Sequence, residues 1–258
     1  MLSETRLEAC SLRLMTHPEL RAAYQDKYGL PTYILPAVVP AHLVRSDSSE
    51  SAWDGRTKSA AILGSFWDQS WFDRLCSALE HCDCATDWYG QNHSPWLKFP
   101  QDKLDRARIT PLGIVPEDRL AVALNRYPFV IVPSGALDGQ DNHTAAASLS
   151  LPGRILFAAA TSHTPILVVG GERNCGARFV THFGIGAVAP YDAQALAAAI
   201  DHLRDPNVQQ QMRRNAAAIS AAFSDEGVAE WLAASTEQGT PVDRRFETAF
   251  EQYQCETK

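Results

Sequence analysis

Pro128-Phe-Val-Ile-Val-Pro-Ser-Gly135, followed by Ser150-Leu-Pro-Gly-Arg-Ile-Leu-Phe-Ala-Ala-Ala-Thr-Ser-His163 and Thr164-Pro-Ile-Leu-Val-Val-Gly-Gly171, is the stretch that decides the fold. Two short, fully apolar runs, each closed by Gly or Ser-Gly, flank a segment with helical spacing. Runs of four or five apolar residues without polar alternation read as strands buried on both faces, which parallel sheets require. The same rhythm extends outward. Ser59-Ala-Ala-Ile-Leu-Gly64, Thr86-Asp-Trp-Tyr-Gly90, Arg108-Ile-Thr-Pro-Leu-Gly113 and Ala187-Val-Ala189 read as further strands. Helical patterns lie between them at 67–81, 116–125, 176–183 and 192–203, and later at 207–223, 225–235 and 241–254. Strands alternating with helices give an α/β fold, a Rossmann-like parallel sheet with helices on both faces. In such sheets ligands sit beyond the carboxyl ends of the strands, where the Gly-rich turns are.

Before Ser59 the pattern differs. A one-sided helix follows His17-Pro-Glu-Leu20 and stops at Gly29, a residue suited to a left-handed C-cap. Pro31 to Pro40 holds three prolines, which exclude a central strand and indicate a connector or an edge. Residues 46–58 are polar and aperiodic and read as a linker. The expected division is therefore 1–45, a helical segment and connector; 46–58, a linker; 59–237, the α/β domain; and 238–258, a terminal helix.

The chain has 258 residues, with 23 Lys and Arg against 30 Asp and Glu, a formal charge of −7. No basic run is present, which argues against nucleic-acid binding. No apolar window is long enough for a membrane span, and Met1-Leu-Ser-Glu-Thr-Arg6 lacks a signal peptide's apolar stretch; a cytoplasmic protein is expected. Six cysteines in a chain of this length do not make a disulfide framework.

The turn into the helix at 152–162 carries the leading site. Ser150 is a candidate cap, Pro152 suits a first turn, and Gly153 lets a ligand approach the backbone. A helix start offers free N–H groups and partial positive charge. Arg154 is a cation placed against that dipole, which points to a facing anion such as a diphosphate, or to a surface carboxylate. Gly64-Ser65 and Ser134-Gly135, each ending a strand on the same rim, are further candidates, with Leu112-Gly113 as a fourth turn. Trp67 is a candidate stacking residue, and Asn142 or His143 a loop contact. His81-Cys-Asp-Cys84 lacks a second ligand pair, so no metal site is expected. The G-x-G-x-x-G, P-loop, G-x-S-x-G and H-E-x-x-H motifs are absent.

From Ser150 to about Asn215 the chain resembles the C-terminal, donor-binding domain of GT-B glycosyltransferases, in particular the family 4-like enzymes. The resemblance rests on Ser150-Leu-Pro-Gly-Arg-Ile, Thr164-Pro-Ile-Leu-Val-Val-Gly170, Phe183-Gly-Ile-Gly186, Asp192 to Ile200 and Met212-Arg-Arg-Asn215. Upstream, Leu63 to Trp67 matches that domain's first strand and loop, and His17 to Pro40 looks like the preceding domain's tail. It implies one half of a GT-B architecture, a nucleoside diphosphate sugar as substrate, and no metal or other cofactor. It also implies a carbohydrate or other glycosyl acceptor, bound by an N-terminal domain or partner subunit, and a role in polysaccharide biosynthesis. In that family a Glu pair with seven residues between its members holds sugar and ribose; Ser150 and Ala158 stand at those positions here. The basic pair expected after Gly64 is replaced by Ser-Phe-Trp-Asp-Gln. Two other readings stand beside it. One is a nucleotide-sugar epimerase with His143 or His163 as acid/base, and the other a non-catalytic interaction protein of the same fold. The ring stripe Phe246, Phe250, Tyr253 reads as core or as a face toward another domain.

Overall fold

The computed structural model describes residues 9–47, 53, 55–139, 141, 144–251 and 253. In chain order its elements begin with β1 (Leu14–Met15), α1 (Pro18–Tyr28), β2 (Tyr33–Ile34), β3 (Ala60–Leu63), α2 (Gln69–Leu79), β4 (Thr86–Tyr89), α3 (Gln101–Arg106) and β5 (Ile109–Gly113). Next come α4 (Glu117–Leu124), β6 (Val130–Pro133), α5 (Thr144–Leu149), α6 (Gly153–Thr161), β7 (Ile166–Val169), α7 (Cys175–His182) and β8 (Gly186–Ala189). The chain continues through α8 (Ala193–Arg204), α9 (Pro206–Ser220), α10 (Val228–Gln238) and α11 (Arg245–Thr248).

Strands β3 to β8 form one sheet in the order β5-β4-β3-β6-β7-β8, every pairing parallel. Counted from its own first strand this is 3-2-1-4-5-6, the doubly wound order with its switch point between β3 and β6. The central strands β3, β6 and β7 are buried at all four positions. Their side chains divide with a period of two. Ala61, Leu63, Val130, Val132, Ile166 and Val168 pack with α6 and α7 on one face. Ala60, Ile62, Ile131, Leu167 and Val169 pack with α2 and α8 on the other. The α/β class with helices on both faces is what the chain adopts.

Caps set several helix starts. The Asp68, Asn174, Asp192 and Asp205 side chains accept from backbone N–H groups at the starts of α2, α7, α8 and α9. At α6 the expectation fails: Pro152 is the cap residue, no side chain caps it, and Ser150 lies outside the helix. Two helices were not expected, α3 and α5; each is six residues long. The helix expected at 241–254 contracts to Arg245–Thr248, because the Asp243 side chain turns the chain by accepting from Arg245 N at 3.0 Å.

The proline-bounded connector stays out of the main sheet, as expected: β2 pairs only with β1, Leu14 beside Tyr33. The connector is fastened nonetheless. Val39 N donates to Phe223 O at 2.8 Å, Asp225 N donates to Val39 O at 2.9 Å, and Ile34 is buried in the same core as Phe179. The expected linker at 46–58 lies partly outside the described residues. Phe246, Phe250 and Tyr253 are buried among Trp231, Phe179 and Phe223. The stripe is core, which corrects its reading as a face toward another domain. No helix among the described residues is long and apolar enough to cross a membrane.

Candidate functional site

The carboxyl ends of β3, β4 and β5 stop in glycine or turn sharply, and a cavity of about 370 Å³ opens above them. Volumes of roughly 300–1,000 Å³ are usual for small-molecule sites. Its floor is Leu63-Gly64 after β3, Tyr89-Gly90 after β4, and Ile114-Val115 after β5. Gly153, Arg154 and Phe157 of α6 form one wall, Glu117 and Leu120 of α4 another, and Ala37 to Pro40 of the connector a third. The cavity lies beside the switch point, where the fold alone places a ligand.

Arg154 organises this corner. Its Nη1 donates to Ser65 O at 3.0 Å and its Nη2 to Pro133 O at 2.9 Å, joining the ends of β3 and β6. A carboxylate across the surface is not what the guanidinium holds; it holds two backbone carbonyls. Sequence carries no signal for such acceptors. Nε has no hydrogen-bond partner and no carboxylate pairs with Arg154 among the described residues. Burial pulls its pKa down to about 10. A partly buried cation without a counter-charge is costly and favours an anion nearby.

Two glycines are obligatory for this packing. Gly64 has φ +92°, and a Cβ there would meet Arg154 Nη1 at 2.4 Å and Cδ at 2.7 Å. At Gly90 a Cβ would meet Gly64 O at 2.3 Å, the oxygen that also accepts from Trp88 Nε1 at 2.8 Å.

The sequence candidates therefore divide. Gly64, Gly153 and Arg154 meet in the large cavity. Trp67, Ser134 and Ser150 line a narrow crevice on the other side of Arg154, with Trp67 52% exposed. Ser65 contributes its carbonyl to Arg154, and its Oγ accepts from Gln91 N at 3.3 Å. Gly135 lines neither space. It is needed for packing, because a Cβ there would meet the Ala147 Cβ at 2.3 Å. Tyr89, Gly90, Ile114, Val115, Glu117 and the connector wall were not anticipated. The glycine closing β4 was their visible signal.

The polar loop after β6 is held by Asp141. Its Oδ1 accepts from Trp71 Nε1 at 2.8 Å and its Oδ2 from Leu137 N at 2.6 Å. Asn142 and His143 lie outside the described residues. A second open cavity, about 470 Å³, sits beyond β7 and β8 between Arg74, Asp138, Gly170 to Arg173 and Tyr191. Arg74 there pairs with Asp138 at 2.8 Å. His163, the other acid/base candidate, is fully buried before β7, at the sheet's opposite edge, and its Nε2 bonds Arg45 O at 3.0 Å. That position removes it from both cavities.

Cys82 and Cys84 are buried thiols raised by burial, Cys84 to about 11. Among the described residues one group has metal-ligand spacing: His17, Glu19 and Cys175, whose ligand atoms lie within 4.8 Å of one another. Those atoms are engaged. Arg178 and Tyr253 donate to the Glu19 carboxylate, His17 Nε2 bonds Leu149 O, and the Cys175 thiol lies 3.3 Å from His17 Nδ1.

With this geometry in place, comparison with solved structures is decisive for the architecture. The chain superposes on sucrose-phosphate synthase from Thermosynechococcus elongatus with a TM-score of 0.61 at 18% identity, over 91% of this chain and 60% of that one. It matches a mutant of S. aureus TarM in complex with fondaparinux, α-GlcNAc-glycerol and UDP at 0.57 and 14%, over 86% and 43%. It matches WaaG, a glycosyltransferase involved in lipopolysaccharide biosynthesis, at 0.54 and 15%, over 86% and 61%. The fold is that of one half of a GT-B glycosyltransferase. No family's sequence profile matches the chain, and no curated protein does. This chain thus spans about three-fifths or less of each of these structures.

Proposed function

We propose that this chain is the donor-binding half of a glycosyltransferase, holding a nucleoside diphosphate sugar for transfer to a carbohydrate or other acceptor. The observation that carries the reading is the cavity beside the switch point. It is floored by the ends of β3, β4 and β5, with glycine at Gly64 and Gly90, and flanked by the start of α6 and by Arg154, a cation with no carboxylate partner among the described residues. In this reading the diphosphate rests on Gly64, Gly153 and the α6 N-terminus. Arg154 supplies charge, and Trp67, Ser134 and Ser150 face the sugar. Such a site accelerates transfer by positioning and by stabilising the leaving diphosphate, with no metal or other cofactor required. The acceptor is assigned to a further domain or a partner subunit, consistent with the length of the structural neighbours. Residues 59–237 then form the donor domain, with the described parts of 1–45 and 238–258 packed against it.

Thermal-shift titration of the whole chain with UDP-, GDP-, ADP- and dTDP-sugars tests this. A ligand that binds the folded state alone raises Tm, by the equivalent of about 2.7 kcal/mol at a hundredfold excess over Kd. If none of the four shifts Tm and calorimetry detects no binding, the reading falls. Arg154→Ala is expected to weaken the ligand that does bind by roughly 1.5–3 kcal/mol, the worth of a charged hydrogen bond.

A further inference from the structure

We infer that the donor cavity is built for a guanine nucleotide, and that Glu117 reads the base. This rests on the donor-site reading above and deepens it.

The order of the sheet fixes the order of the cavity. Gly64, Gly90 and Ile114 follow β3, β4 and β5, three adjacent strands. Neighbouring strands lie about 4.8 Å apart, so the floor runs roughly 10 Å from Gly64 to Ile114. The cationic end is at Gly64, where Arg154 and the start of α6 stand. The middle is Gly90, which presents no side chain. The far end is apolar, with Ile114, Val115 and Leu120, a slot suited to the face of an aromatic base. A nucleoside diphosphate laid along this floor has its phosphates at Arg154, its ribose over Gly90 and its base at the β5 end.

At that end stands Glu117, the one acidic side chain lining the cavity among the described residues. It is exposed, and no ion pair or hydrogen bond engages it among those residues. An ionised carboxylate only accepts hydrogen bonds. The base edge that matches it offers two adjacent donors. Guanine does so, through N1–H and the 2-amino group, and two parallel charged hydrogen bonds form. Uracil and thymine set one N–H between two carbonyls, which the carboxylate repels. Adenine sets its amino group beside the N1 acceptor, which the carboxylate also repels.

Calorimetric titration of the full chain with GDP, UDP, ADP and dTDP, repeated on Glu117→Gln, tests the inference. GDP is expected to bind more tightly than the other three by about 5- to 150-fold, the range of a bidentate pair against a wrong base. The amide of Glu117→Gln accepts one bond and opposes the second, so the GDP preference should collapse while UDP affinity holds. Because the side chain is exposed, circular dichroism of the variant should match the parent. UDP, ADP or dTDP binding as tightly as GDP overturns the guanine assignment and leaves the donor site standing. GDP affinity unchanged in Glu117→Gln does the same to Glu117. No binding by any of the four overturns both readings.

Discussion

Replacing Gly64 with alanine probes the junction on which the cavity depends. The position has φ +92°, so any side chain there pays left-handed strain of roughly 1–2 kcal/mol. The new methyl also falls 2.4 Å from Arg154 Nη1 and 2.7 Å from its Cδ, inside any van der Waals limit. Since the Cδ is clashed as well as the tip, the arginine must swing as a whole and surrender at least one of its bonds to Ser65 O and Pro133 O. A hydrogen bond to a charged donor is worth roughly 1.5–3 kcal/mol. The sum is about 2.5–5 kcal/mol, and at roughly 2–4 °C per kcal/mol the melting point should drop about 5–20 °C. Gly113→Ala is the matched control, with φ +75° and nothing within 4 Å of its Cβ. It carries the strain alone, about 2–8 °C. Scanning calorimetry of both variants, and of Gly64→Ala on an Arg154→Ala background, isolates the clash. If Gly64→Ala melts with Gly113→Ala, or if removing Arg154 does not lessen its penalty, Arg154 is not wedged beneath that strand end as described.

Burial holds both His17 and His163 below the ordinary histidine value. The unfolded chain therefore takes up protons first as pH falls, so this stability is present above about pH 6.5 and lost below it. The loss approaches about 1.4 kcal/mol per pH unit for each histidine. Urea titrations between about pH 7.5 and 5.5 should show the fall, and a flat profile contradicts it. Tyr253→Ala should cost about 3–5 kcal/mol, because its ring packs on Phe179, Phe183 and Phe250 and its hydroxyl donates to Glu19. A shift of the urea midpoint worth less than about 1 kcal/mol argues against that packing. Asp141→Ala strips acceptors from Trp71 Nε1 and Leu137 N and should cost about 2–4 kcal/mol while exposing residues 135–139 to protease. Unchanged cleavage there would mean that Asp141 does not hold the loop.

The sheet was readable because β3, β6 and β7 are buried on both faces, and double burial leaves a short unbroken apolar run closed by a turn residue. The helices α3 and α5 were not, because six residues carry too little periodicity to register and are held by their surroundings. Gly153 and Arg154 could be picked out from helix-start chemistry, and Gly64 from the turn that closes its strand. What Arg154 binds could not, since every residue type offers the same carbonyl. The connector wall was hidden for a related reason. Ala37 comes within 3.1 Å of a Cβ built on Gly153, and that approach is set by backbone bonds from Val39 to Phe223 and Asp225. The resemblance to GT-B donor domains anticipated the fold, and Ser150 and Ala158 stand where that family carries its Glu pair.

The contact between Glu19 and Tyr253 joins positions 234 apart along the chain, and Arg178 holds the same carboxylate from midway. Until all three are in place, helix α1 carries a carboxylate that has no reason to leave water. The clasp fastens helix α1, helix α7 and Tyr253 to one another at a single buried carboxylate. Segments far apart in sequence are thus tied together at one point, outside the strands that make up most of the core.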